Sequence, residues 1–129
     1  ARANQRLIIG ASFGGLISLY TAFRHPGVFG NAASQSGYVA FGRDSLITLF
    51  RSTTRLPVRI YADVGVYETA IGEHPPGERD FCAGNRRLRD VLEERGYGPM
   101  YREFHDGHSW GRWRNELPFI LRHFFPWTR

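Results

Sequence analysis

"RLIIGASFGGLISLYTAFRHPG", residues 6–27, is the stretch on which the fold turns. "RLII" at 6–9 is a short apolar strand, and Leu16, Tyr20 and Phe23 recur at helical spacing until "HPG" at 25–27 stops the run. Between the two elements Ser12 is hemmed in by glycine or alanine at 10, 11, 14 and 15. An interior helix glycine costs about 1 kcal/mol relative to alanine, so local stability has been given up here for geometry. Gly10-Ala11-Ser12-Phe13-Gly14 fits G-x-S-x-G, the sharp strand-to-helix turn that holds a serine in a strained backbone with its hydroxyl exposed. Five residues alone are a weak signal, because glycine-flanked serines are common in loops. The strand before and the helix after give the pattern its weight.

The same alternation continues along the chain without internal repeat. "VFGNAASQSG" (28–37) reads as a second, buried strand and "RDSLITLF" (43–50) as a short helix behind it. "PVRIYADVG" (57–65) alternates and is rich in β-branched and aromatic residues, which makes a third strand. The Pro- and Gly-rich segment "VYETAIGEHPPGERD" (66–80) is too long for idle packing. Leu88, Val91 and Leu92 then mark a helix that ends at Gly96, where glycine suits a left-handed cap. "MYREFHDG" (100–107) supplies a fourth strand, and Trp113, Leu117, Ile120, Leu121 and Phe124 a last helix, bent or restarted at Pro118. Four strand–helix units in a row predict an α/β fold: a parallel sheet of about four strands with helices on both faces.

In such sheets the chemistry lies at the carboxyl ends of the strands, where the sequence places Ser12, Ser34 to Tyr38, Glu68 and His108. Serine, then an acid, then a histidine, each after a later strand, is the chain order of α/β-hydrolases. Ser12 is the candidate nucleophile, and the helix that follows aims its N-terminus and the Phe13 amide at a developing oxyanion. The proton carrier belongs in a loop after the last strand. His108, after Asp106-Gly107, is preferred to His105, which still lies in the strand pattern. An H-x-x-H metal pair with Glu103 lacks a third histidine and a helix to align the two. Glu68, in the loop, is preferred as the acid to Asp63, which lies in or next to the strand; for either carboxylate the bland alternative is a salt bridge to an arginine. His25, His74 and His123 read as helix-end, loop and surface residues.

Composition bounds these readings. The chain has 129 residues, 42% of them hydrophobic and 15% aromatic, enough to bury one core. No apolar run approaches the roughly 18 to 20 residues that span a bilayer, so no membrane role is expected. A single cysteine, Cys82, excludes an internal disulfide framework and multi-cysteine zinc sites. It leaves the compartment open, with the cytoplasm favoured. Net charge is +5 and all 17 basic residues are arginine. They are scattered, with "NRRLRD" (85–90) the densest cluster, and read as a solvated helix face instead of a nucleic-acid surface.

"GASFGGLISLYTAFRHPGVFGNAASQSG" (10–37), "YADVGVYE" (61–68) and "YREFHDGHSWGRWRNELPFIL" (101–121) together resemble the esterase family of α/β-hydrolases that includes the enterochelin (ferric enterobactin) esterases and the esterase D and mycolyltransferase branches. The likeness runs through essentially the whole chain. It implies Ser12 as nucleophile, His108 as base and Glu68 as the triad acid, with no metal or organic cofactor. Ser36, in the Ser-Gln-Ser-Gly after the second strand, and Trp110, in Gly-His-x-Trp, are expected against the substrate. Family members have several strands before the elbow strand and a second oxyanion amide in one of the loops there. The expectation is therefore one partial domain over 1–129, the C-terminal half of an α/β-hydrolase, completed by an N-terminal fragment or a separate chain. The implied activity is hydrolysis of a small-molecule ester through an acyl-enzyme, with a catechol siderophore triester suited to an arginine-rich mouth. Acyl transfer to a sugar or lipid alcohol, and a non-catalytic module of hydrolase shape, are the two rival readings.

Overall fold

The computed structural model describes residues 2–127. A 3-10 turn at Ala3–Gln5 leads into β1 (Leu7–Ala11), α1 (Phe13–Arg24), β2 (Asn31–Gln35), α2 (Phe41–Ser52), β3 (Arg59–Gly65), α3 (Phe81–Glu94), β4 (Met100–Phe104) and α4 (Trp110–Phe124). The strands form one parallel sheet in the order β1-β2-β3-β4, with Ala11 level with Gln35, Gln35 with Asp63 and Asp63 with Arg102. This is the four-stranded parallel α/β architecture that the alternation predicts.

Strand side chains alternate between faces, and each face has its own cover. Ala32, Ile60 and Ala62 pack with Leu16, Leu19 and Ala22 of α1, Leu46, Ile47 and Phe50 of α2, and Leu88, Val91 and Leu92 of α3. Ala33 and Tyr61 turn the other way, onto Ile120 and Phe124 of α4, with Leu7, Ile9 and Met100 around them. Further along the same face the residues become polar: Gln35 and Asp63 lie under the first turns of α4 and are fully or almost fully buried.

Three local expectations are corrected. In α1 the buried stripe is Leu16, Leu19 and Ala22; Tyr20 falls to one side of it and is exposed. The second helix does not begin right-handed at Arg43: Gly42, Arg43 and Asp44 are all left-handed (φ 62°, 56° and 60°), and regular helix follows them. The last helix does not restart at Pro118 but runs through it to Phe124. Pro118 and Arg114, whose carbonyl loses its amide partner, are both exposed, so solvent can take the place of the missing bond.

Candidate active site

Parallel strands in register bring their carboxyl ends to one edge, and the candidate residues follow from there. Ser12 comes directly after β1, Ser36 directly after β2, Glu68 three residues past β3, and His108 four residues past β4.

Ser12 occupies an unusual backbone conformation, φ 58° and ψ −121°, a placement that costs a non-glycine residue about 1–3 kcal/mol. Backbone bonds on both sides hold it there. Its amide donates to the Gln35 carbonyl at 2.9 Å, and its carbonyl accepts from Gly15 at 3.0 Å, Leu16 at 3.2 Å and Tyr38 at 3.1 Å. A Cβ at Gly10 would run into the Gly14 carbonyl, and one at Gly15 into the Ser34 hydroxyl and the Gly37 backbone. Around Gly14 itself the space is open. The Ser12 hydroxyl makes no capping bond to α1. The Phe13 amide is the first of the helix and has no carbonyl four residues back inside it. The Phe13 ring is half-exposed and meets Tyr38 edge-on at 4.9 Å and Phe41 at 5.9 Å.

Glu68 is fully buried, and its Oε1 is hydrogen-bonded to Nδ1 of His108. Its Oε2 accepts from the Ser36 hydroxyl at 2.7 Å and the Gly65 amide at 2.6 Å, with the Arg112 guanidinium 3.6 Å away. Opposite an ionised carboxylate, which can only accept, a neutral imidazole carries its proton on Nδ1 and leaves Nε2 without one. Phe81 and Trp113 stand edge-on to the ring at 5.3 and 4.7 Å and fix its plane. Among the described residues no hydrogen bond joins the Ser12 hydroxyl to His108. The structure brings Glu68 and His108 together, with Ser12 on the same edge of the sheet at the end of β1, two strands from β3.

Asp63, the other candidate acid, does not touch His108. It is fully buried; Oδ1 accepts from the Ser36 amide and an Arg112 guanidinium N–H, both at 3.1 Å, and Oδ2 from the Tyr61 hydroxyl at 2.6 Å. Burial pushes its carboxyl above the usual range, against the pull of these three donors. Burial and the Asp63 charge in turn push the Tyr61 phenol well up.

Ser36 is corrected in role. It has no exposed surface, and its hydroxyl donates to Glu68 while accepting from Trp113 Nε1 at 3.0 Å and from Arg112. One donor and two lone pairs are all used, and nothing is left for a substrate. Ser36 is itself left-handed, φ 48°. Trp110 is exposed and lies against Trp113 at 4.9 Å, at the rim of a cleft of about 480 Å³ lined also by Ile9, Gly10, Ala11, Gln35 and Leu117. Arg114 also lines that cleft, whereas Arg112 is turned inward onto carboxylates. Arg86, Arg87 and Arg89 of α3 pair with Glu103, Asp44 and Asp90.

Sequence reasoning gave Arg112, Trp113 and His74 no part in the site. The first two sit in "GRWRNE" (111–116), where an arginine looks like one more of many. His74, read as a loop residue, stacks on Tyr38 at 4.2 Å and so lays the 66–80 segment over the aromatic residues beside Ser12. His105 is exposed, tilted against Tyr67 at 6.4 Å. No group of three or more His, Cys, Asp or Glu side chains is gathered as metal ligands among the described residues. No helix among them is long and apolar enough to cross a membrane.

The model of the family described as "Putative esterase" matches residues 1–124. YjcH of Bacillus subtilis (strain 168) is 32% identical over 109 residues, which are 84% of this chain and 45% of that protein. Among solved structures, the enterochelin esterase of Shigella flexneri superposes with a TM-score of 0.80 at 25% identity, over 97% of this chain and 32% of its own. A ferulic acid esterase shares the fold, with a TM-score of 0.78 at 16% identity over 95% of this chain and 52% of its own. The chain thus spans less than half the length of the Bacillus relative and about a third of the Shigella enzyme.

Proposed function

Because this chain belongs to the putative esterase family, we propose that it carries the nucleophile, base and acid of a serine carboxylic-ester hydrolase working through an acyl-enzyme. Ser12 Oγ attacks the ester carbonyl, His108 Nε2 takes its proton and returns it to the leaving alcohol, and water repeats the cycle on the acyl-serine. Glu68 holds the imidazole in the required tautomer and balances the imidazolium. The Phe13 amide, at the N-terminus of α1, donates to the oxyanion. The observation that carries this reading is the buried Glu68 carboxylate bonded to Nδ1 of a histidine at the same sheet edge as the strained Ser12. The likeness to the Shigella enterochelin esterase supports a siderophore-type ester as substrate. On the same reading the outer edge of β1, apolar and half-buried, takes the further strands of a whole hydrolase sheet and a second oxyanion donor.

Fluorophosphonate labelling tests the nucleophile in the full-length protein. Labelling is expected at Ser12 and should vanish in Ser12→Ala together with p-nitrophenyl ester hydrolysis; an unlabelled wild type would sink the enzyme reading. Adding alcohol acceptors during turnover separates hydrolysis from acyl transfer by the product formed.

A further inference from the structure

Three buried ionisable side chains lie against His108 and behind it: the Glu68 and Asp63 carboxylates and the Arg112 guanidinium. Arg112 is almost fully buried and touches both carboxylates, Asp63 at 3.1 Å and Glu68 at 3.6 Å. We propose that Asp63 is a positioning residue of the catalytic pair: it occupies the Arg112 charge, so that the negative charge of Glu68 stays available to the His108 imidazolium. The inference rests on the reading of His108 as the general base.

The charge balance gives the reason. With Glu68 and Asp63 ionised and Arg112 protonated, the buried cluster carries one net negative charge. Protonating His108 brings it to neutrality, so the cluster matches the state in which the base holds the serine proton. Without Asp63 the guanidinium would have Glu68 as its remaining carboxylate, and the pair would be neutral before the imidazole gained its proton. The acceptor pattern agrees: both Asp63 oxygens accept hydrogen bonds, three in all. Ser36 links the two carboxylates, giving its amide to Asp63 and its hydroxyl to Glu68. The other ionisable groups near the cluster are the same in Asp63→Asn and Arg112→Gln as in the wild type, so they leave the sign of each shift unchanged. From β3 there is Tyr61, whose phenol burial keeps protonated, and from α3 Cys82, whose thiol burial pushes up. Asp80 is spent on capping α3, Arg102 of β4 is paired with Glu116, and Asp106 bonds the Gly107 amide.

The His108 imidazole is titrated by NMR in the full-length protein, and the acid limb of kcat/KM is followed in parallel. Asp63→Asn should lower the His108 midpoint by about half a pH unit or more, and Arg112→Gln should raise it by a similar amount. The double variant should return towards the wild type. A side chain that only supports packing would not move the midpoint in opposite directions. Should Asp63→Asn fail to fold, Arg112→Gln against the double variant reads the same sign. A midpoint that stays put or rises on loss of Asp63 overturns the proposal. If the imidazole shifts as expected but fluorophosphonate does not label Ser12, the esterase reading falls and the charge arrangement stands.

Discussion

Glu68 has no contact with water, yet every lone pair that matters on its carboxylate is engaged by a named donor. Such a group is held in one orientation, and so is the histidine it binds. Glu68→Gln keeps the size, but with the amide oxygen taken by the Gly65 N–H its NH2 group faces His108 Nδ1, which favours the wrong tautomer. On the proposed mechanism the expected loss is at least about 100-fold in kcat with KM little changed, by analogy with loss of the acid in Ser-His-Asp triads. Steady-state hydrolysis of a p-nitrophenyl ester measures it, and an unchanged kcat would remove Glu68 from the mechanism. Asp63→Asn differs in kind, because Asp63 acts through Arg112 and Ser36 and not on the imidazole itself.

Secondary-structure elements explain why the small residues around Ser12 are not equivalent. In α1, Gly15 faces the Ser34 hydroxyl and the Gly37 backbone, whereas Gly14 faces open space. Gly14→Ala should therefore be neutral or stabilising by up to about 1 kcal/mol through helix propensity, while Gly15→Ala should destabilise by about 1–3 kcal/mol through overpacking. Urea unfolding of the two variants reads the contrast, and equal effects would refute it. The elbow itself was legible because strand, small residues, serine and helix follow one another within a few positions. That Glu68 and His108 meet at one edge of the sheet was legible from chain order, since each follows a strand of a parallel sheet. Arg112 was not, because nothing local distinguishes an arginine that turns inward to two buried carboxylates from one that faces water. Tyr20 was misread for a related reason: an apolar residue one step off a buried stripe is invisible until the stripe is placed against a sheet. Ser36 is expected against the substrate from the resemblance alone, and no local signal in the sequence tells that the first turn of α4 closes over it.

At the scale of the molecule, the sheet puts three helices on one face and one on the other, and ion pairs tie its periphery together. Glu103 on the edge strand β4 accepts two bonds from Arg86 of α3, each at 2.8 Å, and one from the Tyr101 hydroxyl at 2.6 Å. Arg86 first, then Tyr101, hold its carboxyl down to about 2, against the opposing effect of burial. A carboxylate lowered on folding contributes stability that is fully present above its ordinary value near 4.5 and is lost as pH falls through about 2. The rest of the chain worsens matters in that window, since 17 arginines keep their charge while 12 acidic residues are neutralised. Glu103→Gln should thus be less stable than the wild type above about pH 5, and the gap should narrow steadily to nothing near pH 2. Arg86 is half-exposed, so salt should shrink the same gap at neutral pH. Urea midpoints of the two proteins from pH 7 down to pH 2, at low and high salt, measure both trends. A gap that is constant with pH would mean that Glu103 supports β4 through packing and not through its charge.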